Sequence, residues 1–380
     1  MKNLVYLDHS ATTPVDSRVL ETFVKVSTDF WGNPSSLHRI GLLAEQVLLK
    51  SKRQMLDLLN AKNHRVVLTS GATESNNLAI KGMVAPHSNG HLITTKIEHP
   101  SVHEVCLELA RKGWRISYLD ATQPATKLVE QLEALIEKDT RLVSCMHVNS
   151  EMGLVLPIKE MGEVIAKQHP KVKFHVDAVQ SVGKLPLDVH EMHVDLLSIS
   201  GHKIHGIKGV GALIVGRNLN LQPEIVGGGQ MDGFRSGTVN VAGAASLAKA
   251  LRLVMETQSD NHLKIGRLFD YTTKKLNQMD RVQINSYFET QSPYIINLHV
   301  AGIRAETLVH ALETHQVYVS AKSACSSKVA KPSTVLLALG FDELVAVESI
   351  RVSFSHETTL TEVDHFLGAL GTIIKEMKDK

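Results

Sequence analysis

From about residue 60 to residue 215, short apolar runs alternate with stretches whose apolar residues recur every three or four positions. The runs RVVLTS (65–70), HLITT (91–95), RLVSCMHVN (141–149), VKFHVD (172–177) and DLLSIS (195–200) are rich in β-branched and aliphatic residues, which predicts buried strands. Between them, TESNNLAIKGM (73–83) and SVHEVCLELARKG (101–113) read as helices, the second with Val102, Val105, Cys106 and Leu109 on one face. This alternation implies an α/β fold with a mostly parallel sheet sandwiched by helices. Ligands of such sheets bind beyond the carboxyl ends of the strands. The polar residues gather there: Thr69, Ser70 and Gly71, then Asn149, Asp177, and Ser200 to Lys203.

The pattern then changes. Residues 241–278 read as two long helices with a break at TQSDN (257–261). The rest mixes helices with strands such as YIINLHV (294–300) and SIRVSFS (349–355), which predicts a smaller α+β domain. At 380 residues, two domains are expected. The expected division is a large domain over 15–257 and a small one formed by 1–14 with 258–380.

Composition narrows the classes. A formal net charge of +2 with 21% charged residues argues against a general binder of nucleic acid or anionic membranes. No uncharged apolar run reaches bilayer length, and the start lacks the apolar region of a signal peptide. Three scattered cysteines, Cys106, Cys145 and Cys325, make no disulfide framework and fit a reducing cytoplasm.

Two phosphate motifs are rejected. Gly201 to Lys208 approaches the P-loop pattern, but Ile207 stands where its lysine must be. GIKGVG (206–211) has the wrong glycine order for a dinucleotide fingerprint and precedes a strand instead of following one. Twenty histidines invite a metal, yet Pro100 takes His99 off the helix face of His103, and Lys203 separates His202 from His205. No metal is expected.

Other features point to one cofactor. In LTSGATESNN (68–77) a strand ends and a helix opens at Thr73, offering backbone N–H groups to an anion, although a plain N-cap has the same appearance. Asp177 ends a strand, either capping the next helix or serving as counter-ion for a protonated ring nitrogen. Lys203 stands at the mouth of a buried strand. Lysine, acid and phosphate cradle are the parts of a pyridoxal-phosphate site. Cys106 and Cys145 read as core residues, whereas Cys325 lies in the polar stretch SAKSACSSKVAKPS (320–333) between Lys322 and Lys328, where nearby cations favour a thiolate.

The sequence resembles the cysteine desulfurases of the NifS/IscS type within the class V aminotransferase group, nearly end to end. The matching stretches are YLDHSATTPVD (6–16), NPSSLHRIG (33–41), SGATESNN (70–77), EHPSV (98–102), HVNSEMG (147–153), VDAVQSVGKLPLDV (176–189), SISGHKIHGIKGVGAL (198–213), GGG with RSGT (227–238), SAC (323–325) and SIRVSFS (349–355). The resemblance implies the fold of type I pyridoxal-phosphate transferases, with the catalytic cysteine loop on the small domain. It implies that Lys203 holds the cofactor aldehyde carbon, His99 stacks on the ring, Asp177 pairs with the ring nitrogen and Gln180 with the phenolic oxygen. Ala72, Thr73, Ser200 and His202 would bind the phosphate, and Thr238 would reach the phosphate of a partner subunit, implying a homodimer. Asn149 and Arg351, with Asn33 nearby, would hold the substrate carboxylate, a task suited to the planar guanidinium.

The implied reaction converts L-cysteine to L-alanine, with Cys325 carrying the sulfur as a persulfide to an iron–sulfur scaffold or a tRNA-thiolating enzyme. Selenocysteine lyase, another class V enzyme, or a weakly active sulfur-transfer scaffold are the alternatives. A simple aminotransferase would not need Cys325. The chain departs from the family's usual pattern at Lys322 (usually glycine), Ile207 (proline), Ser150 (asparagine) and Met231 (glutamate). None of these removes a catalytic group.

Overall fold

The computed structural model describes residues 4–286, 288–321 and 332–377. The chain forms two compact units: a larger one, Pro14–His147 with Leu156–Thr257, and a smaller one, Met1–Thr13, Val148–Val155 and Gln258–Lys380. The stretch Val148–Val155, expected in the large domain, clusters with the smaller unit. Backbone pairing is the reason. Val148 bridges Val155 across a turn, Leu154 bridges Gln291, and the Val155 N–H donates to Thr290 O at 3.1 Å.

The first strand, β1 (Val5–Tyr6), belongs to the smaller unit. The larger unit supplies α1 (Ser17–Asp29), α2 (Arg39–Leu58), β2 (His64–Thr69), α3 (Ala72–Val84), β3 (His91–Thr95), α4 (Pro100–Arg111) and β4 (Arg115–Leu119). It continues with α5 (Ala125–Leu135), β5 (Thr140–Met146), α6 (Ile158–Gln168), β6 (Lys173–Asp177), β7 (Leu196–Ser200), β8 (Gly211–Gly216) and α7 (Val241–Glu256). The smaller unit resumes with α8 (Gln258–Leu276), β9 (Val282–Ile284), β10 (Ile295–Val300), α9 (Ala305–Thr314) and β11 (Val317–Tyr318). It ends with α10 (Thr334–Ala338), α11 (Glu343–Glu348), β12 (Ser349–Ser353) and α12 (Leu360–Glu376).

The larger unit is built on a seven-stranded sheet of order β2-β8-β7-β6-β5-β3-β4. Only β8 runs against its neighbours; the β7–β6, β6–β5, β5–β3 and β3–β4 pairs are parallel. The carboxyl ends of β2, β3, β5, β6 and β7 therefore share one edge, and Thr69, Thr95, Met146, Asp177 and Ser200 end there. Strands β3 and β7 are buried at every position, as expected of a sheet covered on both faces. Two histidines inside the sheet are structural: His175 bridges Ser144 Oγ at 2.8 Å and Ser198 Oγ at 3.0 Å, and His91 bridges Thr140 Oγ1 and Ser117 Oγ, both at 2.8 Å. Burial pushes the His175 pKa down to about 3, so the ring is neutral in the core.

Helix α7 is buried over most of its length because its alanines, Gly243 and Ser246 let α1 and α2 pack closely on it. In the smaller unit, β9, β10 and β12 form an antiparallel sheet, β1 pairs with β11 in parallel, and α12 packs on α8 and α9. The start of α12 carries a reciprocal cap between Thr359 and Glu362.

Candidate active site

Beyond β7 the chain tightens into a single 3-10 turn, Gly201–Lys203, and folds back to return as β8. The Gly201 N–H donates to Val210 O at 2.9 Å and the Gly206 N–H to Gly201 O at 2.8 Å, closing the loop on itself. This sets Lys203, half-buried, at the carboxyl end of a central strand. His202 beside it is pushed down to about 4, by burial first and then by Lys203 and Lys208. It is a neutral ring at neutral pH.

A second strand end faces the same edge. After β2 the chain turns at Gly71 and enters α3, whose first N–H groups, on Ala72 and Thr73, are the donors a helix leaves without intrahelical partners. Gly71 has φ +156°, and a Cβ there would meet nothing nearer than Ser200 Oγ at 3.8 Å, so open space lies before the helix start. The neighbouring backbone is tight. A Cβ on Gly211 would come within 2.6 Å of Gly71 Cα, so β8 can pass this turn only as glycine. Glu74 holds the turn by accepting from the Ser70 N–H at 2.7 Å and from Arg235 Nε at 2.9 Å.

At the ends of β6 and β3 a buried chain of hydrogen bonds joins two of the expected residues. Asp177 Oδ1 accepts from the Val179 N–H at 3.0 Å, and its Oδ2 accepts from Asn76 Nδ2 at 2.8 Å. Asn76 Nδ2 also donates to Ser101 Oγ at 2.8 Å, and that hydroxyl lies 2.8 Å from His99 Nδ1. The Ser101 N–H donates to His99 Nδ1 as well, at 3.2 Å, because His99 caps α4. A nitrogen that accepts from a backbone N–H carries no proton, so a neutral His99 bears its proton on Nε2. Asn76 and Ser101 were not singled out from the sequence. Their only sequence signal is position, one turn into α3 and two residues after His99.

Glu98 is a further buried group absent from the sequence reading. It is 5% exposed; Oε1 accepts from Thr95 Oγ1 at 2.9 Å and from the Met146 N–H at 3.0 Å, while Oε2 has no partner among the described residues. Burial, with a smaller push from Asp177, raises its pKa to about 8. Glu98 is thus mostly a neutral acid at pH 7.

The remaining expected residues of the larger unit are more dispersed. Gln180 is buried at the end of the turn after Asp177, and its Oε1 accepts from Lys184 Nζ at 2.9 Å. Thr238 is exposed and lines a cavity of about 130 Å³ with Ser70, Gly209, Arg235 and Asn240. Asn33 is exposed between α1 and α2, where its Oδ1 accepts from the Ser35 N–H at 3.0 Å in a local turn. Cys106 and Cys145 are fully buried, and burial raises both thiols, Cys106 to about 12.

Asn149 and Arg351 belong to the smaller unit. Asn149 Oδ1 accepts from the N–H groups of Glu151 at 2.9 Å and Met152 at 2.8 Å. Arg351 is 1% exposed; Nη2 donates to Asp8 Oδ1 at 2.6 Å and Nη1 to Ser150 O at 2.8 Å, while Nε has no partner among the described residues. A guanidinium has five N–H donors, so capacity for another carboxylate remains. Ser320 pairs with Arg351 through both backbone hydrogen bonds. Cys325 and Lys322 lie outside the described residues.

A half-buried lysine at one strand end, a hydrogen-bonded carboxylate at another and an open helix N-terminus at a third suit pyridoxal phosphate, which asks for an amine, a partner for its ring nitrogen and donors for its phosphate. With the doubly wound sheet, they define a pyridoxal-phosphate enzyme of fold type I. Comparison with known proteins agrees. The Aminotransferase class-V family model matches residues 5–366. A NifS/IcsS protein homolog of Lactobacillus delbrueckii subsp. bulgaricus is 41% identical over 97% of this chain and 97% of its own length. A protein named cysteine desulfurase IscS from Vibrio campbellii is 39% identical over 100% of this chain and 95% of its own. A solved structure described as a NifS-like protein superposes with a TM-score of 0.90 at 33% identity, covering 98% of this chain and 100% of that one. The chain belongs to the class V aminotransferase family.

Proposed function

We propose that the protein is a pyridoxal-phosphate-dependent cysteine desulfurase, converting L-cysteine to L-alanine and passing the sulfur on as a persulfide of Cys325. The observation that carries this reading is end-to-end likeness to a relative named cysteine desulfurase, in a chain whose Lys203, Asp177 and α3 N-terminus stand at strand ends of one sheet. When bound, the cofactor supplies an electron sink that acidifies the substrate Cα–H.

The chain's own residues do the rest. Ala72, Thr73, Ser200 and His202 bind the phosphate, and Asp177 holds a proton on the ring nitrogen. Gln180 pairs with the phenolic oxygen. Lys203 Nζ would hold the cofactor and, once the substrate amine has taken its place, the freed amine would remove the Cα proton as general base. His99 lies against the ring and exchanges protons at Nε2, the nitrogen its Ser101 bonds leave protonated. Asn149 and Arg351, with Asn33, hold the substrate carboxylate. The Cys325 thiolate attacks the substrate sulfur, and the persulfide S–S bond forms as the sulfur–Cβ bond breaks with its electron pair going to carbon; Cβ then takes a proton and Cα regains the one that Lys203 removed, which yields alanine.

A second copy of the chain completes the assembly, with Thr238 turned to the partner's cofactor phosphate. Large apolar side chains left exposed on the larger unit support this: Trp31 at 69%, Leu37 at 94% and Val226 at 78%. The sulfur acceptor is an iron–sulfur scaffold or a tRNA-thiolating enzyme, and the cytoplasm is the site of action. Among the described residues, no helix is long and apolar enough to cross a membrane.

Incubating holoprotein with L-cysteine and a reductant tests the reading. Equal amounts of alanine and sulfide are expected, with sulfide lost in Cys325→Ser while the bound cofactor keeps its colour. Lys203→Ala should abolish the borohydride-fixed pyridoxyl mass. Sulfide release undiminished in Cys325→Ser, or turnover of selenocysteine alone, overturns the assignment.

A further inference from the structure

One face of the larger unit holds a groove of about 480 Å³ that the reaction does not use. Leu49, Lys52, Arg53 and Leu56 enter it from α2, at the spacing of a single helix face. His64, Arg65 and Val66 come from the start of β2 and Lys62 from just before it, Arg217 comes from the turn after β8, and Asp57 and Asp232 also line it. Five cations against two carboxylates leave a formal excess of three positive charges. Among the described residues, none of the five cations forms an ion pair. Arg65 is held in place nonetheless: its guanidinium lies over the Phe234 ring, 5.3 Å from the centroid, and donates to Arg217 O. Lys52 is half-buried; burial lowers its pKa, Asp232 partly offsets this by raising it, and Arg65 lowers it further.

Like charges gathered in a concavity repel one another, so the arrangement costs free energy unless an anion joins them. We propose that this groove is a binding site for a small phosphorylated ligand carrying at least two phosphate groups. Three excess charges match a diphosphate. Three arginines and two lysines provide forks and point charges for its oxygens, with Arg65 already oriented. The volume lies in the range of small-molecule sites, and Leu49, Leu56 and Val66 give an apolar wall that suits a carbon-bearing ligand more than a bare ion.

The proposal stands apart from the desulfurase reading and is tested without turnover. Holoprotein, its cofactor in place, is titrated calorimetrically with inorganic pyrophosphate, ADP and AMP at about 150 mM salt, where unspecific surface attraction is screened. Saturable binding of pyrophosphate or ADP at one per chain is expected, at least tenfold tighter than AMP. The exposed pair Arg53→Gln with Arg217→Gln should weaken it at least tenfold, whereas Lys112→Gln, on α4's far end, should leave it unchanged. Tighter binding of ADP than of pyrophosphate assigns the site to a nucleotide; equal binding assigns it to the phosphates alone. No saturable binding, equal binding by the double variant with unchanged circular dichroism, or capture of long polyanions such as heparin only, overturns the proposal.

Discussion

Replacing Glu98 by glutamine asks whether a carboxylic acid beside the active-site histidine is neutral at working pH. The substitution keeps an oxygen to accept from Thr95 Oγ1 and Met146 N–H, and it changes only the atom that has no partner. Glu98 is raised from 4.5 in the unfolded chain to about 8 in the folded protein. Below pH 4.5 both states hold the proton, and its stabilising effect is complete. Between pH 4.5 and 8 the unfolded state releases the proton first, so stability falls as pH rises. At 1.36 kcal/mol per pKa unit the full loss is on the order of 5 kcal/mol. Glutamine does not titrate, so the variant escapes this loss. The assay is calorimetric melting of parent and Glu98→Gln, both cofactor-saturated, from pH 5 to 8.5. The two should melt together near pH 5, and the variant should gain several degrees by pH 8.5, at about 2 °C per kcal/mol. Buried histidines titrate identically in both proteins and cancel. A difference that stays constant across this range, or a variant that melts lower at pH 8.5, would falsify the account, because it would mean that Glu98 is ionised and held by its donors.

Three further outcomes follow from the geometry. Asn76→Ala removes a donor from the Asp177 carboxylate and unfastens Ser101, a charge-assisted bond worth about 1.5–3 kcal/mol, so cofactor affinity measured by absorbance titration should drop about tenfold or more. Gly211→Ala forces a Cβ against Gly71 Cα, and the resulting overpacking, about 1–3 kcal/mol, should lower the melting point and raise the cofactor dissociation constant together; unchanged affinity would show that the helix start does not hold the phosphate. Asp8→Asn leaves the buried Arg351 guanidinium without its countercharge, and urea denaturation should register a loss of about 3 kcal/mol.

Local pattern determined a good deal about this protein. The apolar runs at 65–70, 91–95 and 195–200 are strands within a residue of where the sequence puts them, because a strand buried on both faces must be written in β-branched and aliphatic residues. Alternating strands and helices imply a parallel sheet, and a parallel sheet puts Asp177 and Lys203 on one edge; this much followed from order along the chain. Tertiary structure decided what depends on partners far away in sequence. Nothing local announces that β8 inserts antiparallel between β2 and β7, or that Val148–Val155 pairs with residues near 290. Asn76 reaches Asp177 across 101 residues, and Arg351 reaches Asp8 across 343. The protonation of Glu98 likewise comes from its burial in the packed interior, with a smaller push from Asp177. Periodicity records which face of an element is buried, whereas hydrogen-bond partners and the cost of a charge are properties of the packed interior.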